Sequence, residues 1–218
     1  MRVALIHAMQ ESIEPIRLAL AREFPQAQPF DLLDSALAVD RAAGGPEIEA
    51  ELDRRFLALT DYAIALQAGA VLFTCSAFGR QIDLVGSTHP GLIVRKPNEA
   101  MIRSANRYAR IGLVASFEPT LHSMAQEFEH PERLRLILAK GALDALRRGD
   151  GAQHDALVCQ AASEHAEQVD CFALAQFSIA RAAPLLELRY ARPVLTTPAM
   201  AARDLFTAMA GGTDPGAR

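Results

Sequence analysis

Short apolar runs recur along this chain with amphipathic segments between them, and that alternation restricts the fold more than any other feature. Val3-Ala4-Leu5-Ile6, Val71-Leu72-Phe73, Leu92-Ile93-Val94, Ile111-Gly112-Leu113-Val114, Phe172-Ala173-Leu174 and Val194-Leu195 are each one strand long and apolar throughout, and Leu134–Leu138 is interrupted only by Arg135. Strands buried on both faces belong to parallel sheets covered by helices. Helical spacing appears between them. One helix is expected over 12–23, with Ile13, Ile16, Leu20 and Phe24 on one face, and another over 47–67, with Leu52, Phe56, Leu59 and Ala63 inward. Further helices are expected from 77, over 99–107 behind an Asn98 cap, from 118, over 151–167, from 178, and over 198–209, where Pro198 suits the first position. Residues 25–45 hold Pro25, Pro29, Gly44 and Gly45 without clear period, and read as a surface excursion that could lie over an active site. The tail 211–218 lacks apolar content and reads as disordered.

The pattern repeats within the chain. Arg2-Val3-Ala4-Leu5-Ile6-His7-Ala8-Met9 aligns with Arg110-Ile111-Gly112-Leu113-Val114-Ala115-Ser116-Phe117. Ala70–Gly79 aligns with Cys171–Ala180, and both pairs lie roughly 100 residues apart. Each pair is a buried strand, a turn of small or hydroxyl residues, and a helix. Any two βα units look similar as hydrophobic patterns, but two pairs in the same order favour a duplicated architecture. The expected class is α/β, with two pseudo-symmetric lobes, each a mainly parallel sheet flanked by helices, and an active site in the cleft between them. The first lobe would take 1–97 plus 196–210 and the second 98–195. Ligands of such sheets bind beyond the carboxyl ends of the strands. The turns to watch are therefore His7-Ala8, Thr74-Cys75-Ser76, Ser116-Phe117 and Ala175-Gln176-Phe177.

Composition narrows the function. Among 218 residues, 22% are charged with both signs scattered, and the net charge is −4. Nucleic-acid binding needs a basic stripe, and none is present. The pairs Arg54-Arg55 and Arg147-Arg148 read as solvated helix surface. No run approaches the roughly 20 apolar residues of a bilayer span, and the N-terminal run is too short for a secretory leader. Cys75, Cys159 and Cys171 are odd in number and lack metal-ligand spacing, which fits a reducing, cytoplasmic setting. His122, His130, His154 and His165 likewise show no metal spacing and read as surface.

Cys75 ends a buried strand where a helix is expected to start. Backbone N–H groups there would favour thiolate and bring the thiol into range as a base near neutral pH. A buried structural cysteine is the plainer alternative. Thr74 and Ser76 could donate hydrogen bonds to a carboxylate, as could Ser116 and Thr120 in the Ser116-Phe117-Glu118-Pro119-Thr120 turn, and Thr197 before Pro198. Ordinary helix capping would use the same residues. His7 titrates near neutrality and ends the first strand, so it is a second acid/base candidate or a hydrogen-bonded support. Glu99, after Pro97-Asn98, is a candidate cleft carboxylate or a cap partner at the helix N-terminus.

Phe73-Thr74-Cys75-Ser76-Ala77-Phe78-Gly79, with Leu174-Ala175-Gln176-Phe177-Ser178-Ile179-Ala180, resembles the aspartate/glutamate/hydantoin racemase superfamily. Arylmalonate decarboxylases and maleate cis-trans isomerases are similar in fold. The resemblance spans the chain from the first strand to Thr196-Thr197-Pro198. It implies two similar lobes, no cofactor, a small-molecule carboxylate substrate, and compatibility with a homodimer. Racemases of this type carry one cysteine per lobe. Cys75 matches the first, but Gln176 stands at the second, and glutamine does not exchange protons at neutral pH. Cys171 lies five residues earlier, about 16 Å along the strand, and reads as core. Cys159, mid-helix, reads the same way.

The reading is a cofactor-independent, racemase-like isomerase with catalytic Cys75 and His7. Its substrate contacts would come from Thr74, Ser76, Ser116, Phe117, Thr120, Gln176, Phe177 and Thr197. One alternative is a decarboxylase or one-base isomerase using Cys75 alone, or using it as a nucleophile. Another is a small-acid binding protein without chemistry. Phe78, Phe117 and Phe177 hint at a side chain less polar than glutamate's.

Overall fold

The computed structural model describes residues 1–211, so the expected disordered tail lies almost wholly outside the described residues. The chain divides into two units, one of Met1–Pro97 with the residues from Ala201 on, the other of Asn98–Met200.

In the first unit, β1 (Arg2–His7), β2 (Gln28–Leu33), β3 (Ala70–Phe73) and β4 (Ile93–Arg95) form one parallel sheet in the order β2-β1-β3-β4. The helices α1 (Ile13–Glu23), α2 (Ala36–Ala43), α3 (Pro46–Ala65) and α4 (Gly79–Thr88) connect them. The second unit repeats this plan. Its sheet runs β6-β5-β7-β8, with β5 (Ile111–Ala115), β6 (Leu134–Leu138), β7 (Cys171–Leu174) and β8 (Val194–Thr196), all parallel. Its helices are α5 (Glu99–Ala105), α6 (Glu118–Ala125), α7 (Ala142–Arg147), α8 (Gly151–Ser163) and α9 (Ala183–Tyr190).

The central strands are buried as their composition requires. Val3, Ala4, Leu5, Val71 and Leu72 are fully sealed in one unit, and Leu113, Val114, Phe172, Ala173 and Leu174 in the other. At Gly112 a Cβ would come within 2.9 Å of the Phe172 ring and 3.2 Å of Ile137, so the strand interior admits no side chain there. The fourth βα helix is exchanged. α5 follows β4 in sequence yet packs Met101, Ile102 and Ala105 into the second unit's core. The last helix, α10 (Thr197–Met209), follows β8, while its later residues belong to the first unit, where Phe206 meets Phe24 and Arg203 pairs with Glu23.

Several expectations need correction. Residues 25–45 are not a surface excursion: β2 is a sheet strand, and Leu37 of α2 is buried. Its signal was weak because an edge strand is only half-buried and tolerates Pro29, whose missing N–H costs no ladder bond there. Helix α7 was unforeseen, and the helix expected over 151–167 ends at Ser163. Asn98 sits at the N-cap of α5 without capping it, because its side-chain amide donates to Glu127 at 2.5 Å. Arg55 is no solvated arginine, since it pairs with Asp34 and Asp40 and ties α3 to the segment around α2. His154 is fully buried, one turn before Val158 on the inward face of α8.

Candidate active site

Strand β3 delivers Cys75 to its carboxyl end. Thr74 keeps the ladder going, its N–H donating to the Ile6 carbonyl at 3.0 Å, and Cys75 remains extended at φ −130°. A single 3-10 turn, Ser76–Phe78, follows before α4 begins. Phe78 is buried and packs at 5.0 Å on Phe56, which also stacks at 5.0 Å on Phe73. Aromatic rings thus anchor both sides of the cysteine. Cys75 is partly buried, whereas Cys159 and Cys171 are sealed in core.

Burial pushes the Cys75 thiol above its ordinary range, and the Ala77 backbone N–H, which donates to it, only partly opposes this. The expected lowering by a helix start does not occur. One 3-10 turn intervenes before α4, so few aligned peptide dipoles act on the sulfur. Cys75 is therefore a protonated thiol near neutral pH. Burial also raises Cys159, and it takes Cys171 to about 12, as befits inert core thiols.

His7, expected as a second acid or base, is 0% exposed and both ring nitrogens are engaged. Nδ1 lies 2.9 Å from Thr74 Oγ1 and 3.0 Å from Ser12 Oγ, while Nε2 lies 3.1 Å from Asp31 Oδ1. Arg17 grips the same carboxylate, at 2.6 Å through Nη2 and 3.1 Å through Nε. Asp31 is drawn upward by burial, but the hydrogen bonds from Arg17 and His7 outweigh that and hold it below the ordinary carboxylate range. An ionised carboxylate only accepts, so Nε2 carries the proton and Nδ1 accepts from a hydroxyl. The Ser12 hydroxyl donates to the Met9 carbonyl at 2.7 Å, and the Thr74 hydroxyl, whose other acceptor is the Ile6 carbonyl at 3.3 Å, is the remaining and nearer donor to Nδ1 at 2.9 Å. This corrects two expectations. His7 presents no nitrogen to a ligand, and the Thr74 hydroxyl is committed inward. Together they position the residue that precedes Cys75.

Burial lowers the His7 pKa, with Asp31 opposing. The unfolded chain takes up this proton near 6.5, whereas the folded chain resists it to lower pH. The associated stability is complete above 6.5 and is lost as pH falls through the folded value. Thermal unfolding of the wild type should weaken between pH 7 and 5, and His7→Gln should flatten that slope. Parallel slopes for the two proteins would refute the assignment.

The second unit presents an equivalent turn. The Ala175 N–H donates to the Val114 carbonyl at 2.9 Å, just as Thr74 does to Ile6. Gln176 therefore occupies in its unit the position that Cys75 occupies in the other, and Ser116 matches Ala8. Gln176 Oε1 accepts from the Ser116 N–H at 2.8 Å and from Ser116 Oγ at 3.0 Å. The Ser116 donors expected for a ligand carboxylate are thus taken by the protein itself. Phe117 is 50% exposed beside them, whereas Phe177 and Phe78 are buried, so only Phe117 is placed to meet a ligand. Thr120 is partly buried at the start of α6. Thr197 is buried and its hydroxyl has no protein partner among the described residues. Ser76 is partly buried and likewise has no side-chain partner there. Glu99 lies exposed in the first turn of α5.

Sequence reasoning missed Asp31, Arg17 and Ser12. An aspartate inside the apolar run Phe30-Asp31-Leu32-Leu33 was the available signal, because a strand does not carry a carboxylate inward without a partner. Among the described residues, no three His, Cys, Asp or Glu side chains are grouped to hold a metal. Nor is any helix there long and apolar enough to cross a membrane.

The sequence matches no family model and no curated protein. Solved structures do match. An allantoin racemase from Klebsiella pneumoniae is 13% identical at a TM-score of 0.70, over 98% of this chain and 90% of its own. A glutamate racemase from Bacillus anthracis is 12% identical at 0.70, over 96% and 81%. The fold is that of the aspartate/glutamate/hydantoin racemase superfamily. A maleate isomerase from Pseudomonas putida shares it at 16% identity and a TM-score of 0.66, over 100% of this chain and 99% of its own. The racemase fold agrees with the duplicated sheet order.

Proposed function

We propose that this protein is a cofactor-independent enzyme of the racemase and isomerase type, moving a proton at the carbon next to a carboxylate, with Cys75 as acid or base. The observation that carries this reading is Cys75 itself. It is the one cysteine not sealed in core, it lies at a strand's carboxyl end, and its neighbour Thr74 is held by the His7–Asp31–Arg17 chain. Shared fold with racemases and an isomerase supports it. Ser76, Thr120, Thr197 and Gln176 Nε2 are the polar groups proposed to meet the substrate, a small carboxylic acid. Unpaired cysteines fit a reducing, cytoplasmic setting.

A second reading follows from Gln176, which replaces any proton carrier at the equivalent turn. Cys75 would then work from one side, protonating a carbanion left when a malonate-type acid releases carbon dioxide, and its thiolate would be reprotonated by solvent.

Incubation of candidate acids in heavy water tests both. Racemisation gives deuterium at the α-carbon with loss of optical rotation. One-sided chemistry gives deuterium with retention, or carbon dioxide release. A protein that binds such acids and shows neither outcome is a binder without chemistry, and both readings fall.

A further inference from the structure

The Ser116 turn is already filled. Its backbone N–H and its hydroxyl converge on one oxygen, at 2.8 and 3.0 Å, and that oxygen belongs to Gln176. Which end of the carboxamide faces the turn is not a free choice. A backbone N–H can only donate, so the atom it meets must be Oε1 and the amide nitrogen must point elsewhere. The nitrogen's two N–H donors have no acceptor among the described residues, and Gln176 is only partly buried.

We infer that Gln176 is a specificity-determining residue: its carbonyl oxygen closes the Ser116 donors to a ligand carboxylate, and its Nε2 presents donors to a neutral carbonyl instead. The preference follows from charge and from tethering. An incoming carboxylate must displace an internal acceptor held at high effective concentration. If it avoids those donors, it must lose water beside a neutral amide, which repays little of an anion's desolvation. A carboxamide or ester carbonyl loses little hydration and needs only one or two donors. The ligand class is thus a molecule whose group at this turn is an uncharged carbonyl, a reading that rests on the proposed small-acid chemistry only for the rest of the ligand.

The test uses the Ser116 amide in 15N-labelled protein, with sodium acetate and acetamide as probes. In the wild type this amide should be protected from hydrogen exchange and unmoved by acetate, while acetamide shifts the Gln176 side-chain amide resonances. Gln176→Ala should speed exchange at Ser116 by about tenfold or more, because a hydrogen bond is lost, and should make the amide respond to acetate. Gln176→Glu keeps the shape and an acceptor, so Ser116 should stay protected and deaf to acetate. The inference is overturned if wild-type Ser116 exchanges as fast as in Gln176→Ala, if it titrates with acetate equally in both, or if acetamide leaves the Gln176 resonances unmoved. None of these readouts requires turnover, so they stand or fall separately from deuterium exchange at Cys75.

Discussion

Replacing Cys75 with serine is expected to lower deuterium uptake at the substrate α-carbon by about 10²- to 10⁴-fold, the usual contribution of a positioned acid or base. Serine keeps the approximate size and hydrogen-bonding of the side chain, and the ring contacts of Phe56 with Phe73 and Phe78 do not involve the sulfur. What changes is acidity, since a hydroxyl neither gives up nor holds its proton in the range a thiol does. The other cysteines offer no substitute: both are core residues, and Cys171 titrates only at about 12. The wild-type pH profile carries a second signature. With the Cys75 thiol pushed above its ordinary range, the thiolate fraction is small at neutrality. Any step that uses it as a base should therefore accelerate with pH through and beyond pH 8, while a step that uses it as an acid should be flat there. Iodoacetamide labelling, read by peptide mass, gives the same titration without substrate. Full activity in Cys75→Ser would remove Cys75 from the site, whereas labelling that saturates below pH 8 would show that burial does not hold the thiol above its ordinary range.

The central strands were legible because burial on both faces writes itself as continuous apolar runs, as in Val71-Leu72-Phe73 and Ile111-Gly112-Leu113-Val114. The duplication was legible for the same reason: equivalent strands carry equivalent runs. β2 was hidden because an edge strand is half-solvated and its turn-forming prolines mimic a loop. The candidate site split along a similar line. Cys75 and Gln176 could be placed, since each follows a buried strand by two residues. The role of His7 could not be fixed, because whether a histidine faces ligand or core depends on Asp31 and Arg17, which only pairing of β1 with β2 brings to it. The charge state of Cys75 was misjudged for a related reason. Sequence shows that a helical segment follows, but not that its first turn is too short to offset desolvation.

Phe56→Ala is the substitution expected to cost the first unit most, about 3–5 kcal/mol. Phe56 is 1% exposed on α3 and meets Phe73 and Phe78, both at 5.0 Å between ring centroids. Truncation removes the transfer free energy of a ring, leaves a cavity that three surrounding elements cannot close, and abolishes two aromatic contacts at once. The position of the loss gives it a functional reach. Phe73 is the last residue of β3 and Phe78 ends the 3-10 turn, so the cavity opens beneath both ends of the segment that carries Cys75. Local opening of that segment should become cheaper along with global unfolding. Two measurements separate these effects. Urea unfolding should report the global loss, with Phe56→Leu recovering much of it by refilling volume. Alkylation of Cys75 under native conditions, well below the unfolding midpoint, should rise severalfold in Phe56→Ala and less in Phe56→Leu. If stability falls while native alkylation of Cys75 is unchanged, the aromatic cluster holds the core together without holding the cysteine in place, and the turn must be fixed instead by the Thr74–His7 hydrogen bond.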